Sequence, residues 1–213
     1  LLERRLMRDR IILSLGTRLD KSQNFDPVLS PAFSAVFKVK QRHYFRLNVT
    51  NAVRNPTIQD QYLNYNVGRA RLRGNLDGVD SVIALDTYLQ VIETALLSPV
   101  DSLRRISFNI APIRPEIART LELGYKANPW NPLFVDLTFW YSWYEHFIGF
   151  NLVSPAPSAG SVEAIPTPLR VSANATEQVT TIGFTAGLNY YFKRFYSISG
   201  NYTFTELASA AND

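Results

Sequence analysis

The sequence predicts an all-β protein, a transmembrane antiparallel β-barrel, and three observations carry that prediction. Extended segments alternate apolar and polar residues with period two, over lengths that suit a bilayer. The connections between them alternate between short and long. Aromatic residues gather where strands meet turns. The 213 residues are 46% hydrophobic and 13% aromatic, too apolar for a disordered chain. Mean hydropathy is nevertheless only -0.09, and no run approaches the ~18 consecutive apolar residues of a spanning helix. A barrel reconciles these facts, because only alternate residues of each strand face lipid.

The strands follow in chain order. From 10 to 20, Ile11, Leu13, Leu15, Thr17 and Leu19 share one face, with Ser14, Gly16, Arg18 and Asp20 opposite. From 30 to 39, Phe33, Ala35, Phe37 and Val39 oppose Ser34 and Lys38. From 43 to 51, Phe45, Leu47 and Val49 oppose Arg46, Asn48 and Thr50. From 119 to 126, Leu121, Leu123 and Tyr125 oppose Thr120, Glu122, Gly124 and Lys126. The stretch 133–148 is long and aromatic, with Leu137, Phe139, Tyr141 and Trp143 on one face. From 181 to 193, Ile182, Phe184, Ala186, Leu188 and Tyr190 oppose Gly183, Thr185, Gly187 and Asn189. From 196 to 205, Tyr196, Ile198, Tyr202 and Phe204 oppose Ser197, Ser199, Asn201 and Thr203. Residues 1–6 read as the tail of a preceding strand.

The connections run medium (21–29), short (40–42), very long (52–118), short (127–132), long (149–177) and tight (Arg194). Outer-membrane barrels keep turns short on the periplasmic side and loops long outside. A soluble meander has no reason to do so. Aromatics at strand ends, namely Tyr44, Phe45, Trp130, Tyr190 to Phe192, Phe195 and Tyr196, fit interfacial girdles. Cross-strand pairing in a soluble sandwich also uses aromatics and is the plain alternative.

Residues 52–117 form one long extracellular loop with a helix expected over about 81–97. There Val82, Leu85, Leu89, Ile92 and Leu96 keep three-four spacing, Asp80 or Ser81 caps the start, and Pro99 follows. The segment 155–168 holds four prolines and reads as an exposed loop. Seven strands is an odd number, whereas closed single-chain barrels have an even one. The chain is therefore expected to be part of a larger barrel.

Chemistry is sought and not found. The absence of cysteine excludes a disulfide framework and thiolate metal sites. The net charge of +4 comes from scattered rather than clustered basic residues, which argues against a nucleic-acid surface. His43 and His146 have no partner at metal-ligand spacing, so no metal site is expected. No phosphate loop or nucleophile–base set is present. Glu116 and Glu122 resemble an acid–base pair only by proximity. No catalytic residue and no cofactor is expected.

Residues 45–63 (FRLNVTNAVRNPTIQDQYL) resemble the strand and loop of TonB-dependent receptors, in which a barrel strand runs into a motif of the form FRNPT-x-Q-x-QYL. Ile113-Arg114-Pro115-Glu116, followed by Leu121 to Lys126 (LELGYK), is similar to that family's LKPE…ELGYK signature, with Ile113-Arg114 in place of Leu-Lys. Tyr144 to Ile148, 183–193 and 199–204 continue the ordered match, and Asn66 to Ala70 resembles receptors of Bacteroidota.

The resemblance implies a piece of a barrel of about 22 strands with a plugged lumen. The protein would be a receptor in a Gram-negative outer membrane, importing an iron chelate, cobalamin, glycan or peptide. Its implied partners are outer-membrane lipid, the TonB–ExbB–ExbD system acting through a plug domain, and a surface lipoprotein. Arg18, Arg46, Asn48, Glu122, Asn189 and Asn201 would face lumen and plug. Arg54, Gln59, Gln61, Tyr62 and Asn64 lie in the loop above the mouth and could touch ligand, although Arg54-Asn55-Pro56 could simply fold the loop by turn chemistry. A passive porin or adhesin barrel is the alternative function, and a soluble carbohydrate-binding module is a third.

Overall fold

The computed structural model describes residues 1–40, 42–94, 103–157, 167–193 and 195–209. These form two compact units, one from residues 1–54, 117–145 and 177–209, the other from 55–116 and 146–176. The first unit is an antiparallel sheet of eight strands in the order β1-β2-β3-β4-β9-β10-β13-β14. Their ranges are β1 Leu2–Leu6, β2 Ile11–Asp20, β3 Val28–Val39, β4 His43–Arg54, β9 Glu116–Trp130, β10 Leu133–Glu145, β13 Val179–Phe192 and β14 Tyr196–Ser209. The seven expected strands are all there, most of them longer at one or both ends. The N-terminal tail adds an eighth. From β2 onward they run 10 to 15 residues, enough to cross a bilayer at barrel tilt, which takes ~9–11.

Register turns alternation along each strand into rows across the sheet. Leu123 pairs with Phe139, Phe139 with Phe184 and Phe184 with Phe204. Leu13, Ala35 and Leu47 form a second apolar row. The neighbouring rows are polar: Ser14–Ser34–Asn48 and Thr138–Thr185–Thr203. The apolar flank is left uncovered, with Leu15 52% and Leu188 54% exposed. A water-soluble protein would bury such a flank. No described helix is long and apolar enough to cross a membrane.

Aromatics mark both ends of this flank unevenly. At the short-turn end, Phe45 packs on Tyr125 with ring centres 5.0 Å apart, and Phe192 on Tyr196 at 5.3 Å. The aromatics singled out in the sequence gather chiefly at this end. At the other end stand Tyr141 and Trp143, 5.9 Å apart, with the ion pair Arg119–Glu145 beside them.

The second unit is a six-stranded sheet built from the two longest connections. Its strands are β5 Asn64–Asn66, β6 Arg71–Arg73, β7 Val79–Ala84, β8 Phe108–Ile110, β11 Ile148–Pro155 and β12 Leu169–Asn174, in the order β5-β6-β12-β11-β7-β8. β6 and β12 pair in parallel, Arg71 beside Leu169. Helices α1 Ile58–Tyr62 and α2 Leu85–Thr94 accompany them. The core takes Val79, Val82 and Ile110 from the first connection and Val153, Leu169, Val171 and Ala173 from the second. Tyr88 of α2 packs with Ile83 and Leu103, and burial pushes its phenol pKa up.

Three expectations change. The span 52–117 is not a loop with one helix, since β4 continues to Arg54 and four further elements, α1, β5, β6 and β7, precede α2. The helix starts at Leu85, because Val82 and Ile83 are fully buried on opposite faces of a strand. Asp80 and Ser81 therefore do not cap it. Leu96 and Pro99 lie outside the described residues, as do Arg194 and most of the proline-rich segment. The stretch 133–148 is not one strand, because left-handed backbone at His146 (φ 53°) separates β10 from β11.

Candidate functional site

Two constellations hold part of the set of residues singled out by sequence. The first lies on the polar flank of the eight-stranded sheet. Ser34 Oγ donates to Asn48 Oδ1 at 2.7 Å, and Asn48 Nδ2 donates to Glu122 Oε1 at 3.0 Å. Arg46 Nη2 lies 3.0 Å from that same carboxylate oxygen and 3.3 Å from Thr138 Oγ1. The guanidinium lies across Gly124, where a Cβ would come within 3.0 Å of Arg46 Nε. Glycine at 124 thus makes the slot in which Arg46 reaches both partners. Arg46 Nε is buried and has no partner among the described residues. Lys126 and Asp136 face each other at 3.4 Å on the same flank.

Of the six residues expected on this flank, the structure brings together Arg46, Asn48 and Glu122. Arg18 pairs instead with Asp20 at 2.8 Å on its own strand. Asn189 donates to Tyr191 Oη at 2.8 Å. Asn201 stands beside Gly187 on β14.

The second constellation is built around α1. Thr57 caps the helix: Asp60 N–H donates to Thr57 Oγ1 at 3.2 Å, and Thr57 N–H donates to Asp60 Oδ2 at 2.9 Å. This reciprocal capping box fixes the helix start. Asp60 also accepts from Ser172 Oγ at 3.2 Å, which ties α1 to β12. The far end is satisfied by backbone. Leu63 N–H donates to Gln59 O, Asn75 N–H to Asp60 O and Gly74 N–H to Leu63 O, at 2.7 to 3.1 Å. Much of the RNPTIQDQYL motif is therefore explained as a folding device. Pro56 is buried, and its carbonyl accepts from Gln61 Nε2 at 2.7 Å.

Beside α1 lies a cleft of about 570 Å³ with a predominantly polar lining. Gln61, Tyr62 and Asn64 line it, as do Arg71, Arg73 and Asp77. Gln59 and Arg54 do not, since Gln59 is exposed on α1 and Arg54 ends β4 in the other unit. Sequence reasoning missed Arg71 and Arg73. Their signal was present in 69–73, where three arginines alternate with Ala70 and Leu72.

The remaining candidates have structural roles. Buried Glu116 accepts the Ile148 N–H at 3.0 Å, and it belongs to a different unit from Glu122. His43 Nδ1 meets Tyr125 Oη at 2.8 Å. The His146 carbonyl accepts from Asn174 Nδ2 at 2.7 Å. Among the described residues, no three His, Cys, Asp or Glu side chains could hold a metal ion.

Comparison with known proteins agrees with this architecture. Residues 4–213 match the family model described as TonB dependent receptor-like, beta-barrel. A search of curated protein sequences gives no significant match. Among solved structures, the siderophore receptor PirA of Pseudomonas aeruginosa aligns over 94% of this chain and 32% of its own, with a TM-score of 0.59 and 16% identity. A mutant of the ferric enterobactin receptor PfeA from Pseudomonas aeruginosa aligns over 94% and 25%, with a TM-score of 0.63 and 18% identity. The hemophore receptor HasR of Serratia marcescens, in complex with its hemophore HasA and heme, aligns over 94% and 32%, with a TM-score of 0.58 and 12% identity. At these identities the likeness is one of fold, and the chain spans between a quarter and a third of the length of these structures. The family and these neighbours are receptors, not enzymes, and the family is one of Gram-negative outer-membrane barrels served by the TonB system. The chain belongs to the TonB-dependent receptor family, as part of its β-barrel.

Proposed function

We propose that the intact protein is an active importer of a scarce nutrient (an iron chelate, cobalamin, glycan or peptide), coupled to TonB–ExbB–ExbD through a plug inside the barrel. The observation that carries this reading is the two-flanked sheet. One flank is apolar and uncovered, suited to hydrocarbon. The other carries a hydrogen-bonded network of Ser34, Asn48, Glu122, Arg46 and Thr138, suited to gripping a polar plug.

In this reading the long connections lie outside the cell and offer Gln61, Tyr62 and Asn64 to ligand. Arg18, Asn189 and Asn201 face the same lumen as Arg46. Arg54 and Gln59, outside the cleft, contribute through the loop's shape. A surface lipoprotein is the further partner proposed, and its co-purification with the intact receptor tests that.

The function itself is tested by growth on each nutrient class with and without the intact gene, and again in a strain lacking TonB. Growth that depends on both genes for one class supports import. Growth on every class that ignores both genes removes it. Growth that needs the receptor but not TonB points to a passive porin.

A further inference from the structure

We infer that the cleft beside α1 takes a carboxylate-bearing ligand, held by Arg71 and Arg73. The inference rests on the importer reading, which supplies the reason for a ligand to reach this surface. It narrows the cargo to acids.

Four observations converge. Arg71 and Arg73 stand two positions apart on β6, so both side chains leave the same face of the sheet. That face pairs them with Asn66 and Asn64 of β5. Arg71 Nε donates to Asn64 Oδ1 at 2.7 Å. This bond orients the guanidinium and leaves its two terminal nitrogens for an end-on, fork-like carboxylate contact. Neither arginine forms an ion pair among the described residues, and Asp77 is the one carboxylate lining the cleft. Two positive charges thus stand against one negative charge in a space of about 570 Å³, within the ~300–1,000 Å³ range of small-molecule sites.

Neutral polar groups of Gln61, Tyr62 and Asn64, with the apolar Leu63, Leu76, Pro155 and Leu169, complete the lining. Gln61 and Tyr62 are held against β6 because residue 74 is glycine: a Cβ there would meet Tyr62 N at 2.5 Å. A neutral or cationic cargo would cover two guanidinium groups without compensating them, which is costly. A carboxylate offers each a paired, charge-assisted contact.

Two sources could supply that chemistry, an acidic sugar or an iron carboxylate chelate. Titration calorimetry on the full-length receptor in detergent separates them, with trigalacturonic acid and ferric citrate as the anionic probes and cellotriose as the neutral one. At least one anionic probe should bind saturably. The double variant Arg71→Ala/Arg73→Ala should weaken it by about tenfold or more, and Asp77→Asn should strengthen it. Folding of each variant is checked by heat-modifiable gel migration. If the double variant misfolds, Arg73→Gln, which leaves the Arg71–Asn64 bond in place, carries the test with the same direction of effect.

Failure of both anionic probes to bind, or binding unchanged by removal of the arginines, overturns the inference. TonB-dependent growth on a neutral cargo together with absent anion binding removes the acid specificity but keeps import. Anion binding with TonB-independent growth does the reverse.

Discussion

Gly74 has no room for a side chain, because the atoms a Cβ would strike (Tyr62 N, and Gln61 C and O at 2.6 and 2.7 Å) are backbone and cannot rotate away. Gly74→Ala should therefore separate α1 from the residues after β6 and cost about 1–3 kcal/mol in the second unit. Faster limited proteolysis within 55–78 would show it. Glu122 serves Asn48 and Arg46 at once, so Glu122→Ala leaves a partly buried guanidinium with Thr138 as its remaining contact. Both ends of the pair are partly exposed, and water offsets some of the loss. A cost of about 1–2 kcal/mol is expected, read as a lower thermal midpoint of the intact receptor. At this scale the sequence was informative where chemistry and pattern coincide. Alternation assigns Arg46, Asn48 and Glu122 to one flank, but it cannot say that they meet, because β4 and β9 are separated by a whole unit of chain. For the cleft it yields Gln61, Tyr62 and Asn64 and overlooks Arg71 and Arg73, because a three-residue strand is too short to show a period.

A long strand with one apolar flank announces itself by period two, and every strand of the eight-stranded sheet from β2 on does so. The short strands are silent for a physical reason. Val82 and Ile83 are buried on opposite faces of β7, so their apolar run imitates one face of a helix. Their partners, β8 and β11, arrive from distant parts of the chain. The flanks of the long strands differ sharply in what they tolerate. Phe184→Arg puts a cation on the apolar flank near the middle of β13 and should cost about 2–4 kcal/mol in a bilayer. Thr185→Arg, one residue on, points to the polar flank and should be nearly neutral. Comparing the fraction of each variant that assembles as a heat-modifiable barrel checks the pair. Equal assembly would mean that the apolar flank does not meet hydrocarbon.

Across the whole molecule, the second unit depends on both long connections, since its core draws on each. Removing 147–176 while keeping a short turn between β10 and β13 leaves their twelve-residue register intact. It strips Val79, Val82 and Ile110 of their partners. Such a deletion variant should still migrate as a folded barrel, yet be cut rapidly by protease within 55–116. Protection of that segment would show that it folds without its counterpart. The parallel pairing of β6 with β12 also sets a calendar for synthesis and folding. Contacts between stretches so far apart along the chain form slowly unless intervening hairpins first shorten the path between them. The antiparallel neighbours β9–β10 supply that shortcut, and β13 can add to them only once the chain beyond β12 is available. Maturation of the arginine-lined cleft therefore belongs to the last stage, and a receptor able to hold its ligand is one whose long strands have already found their places.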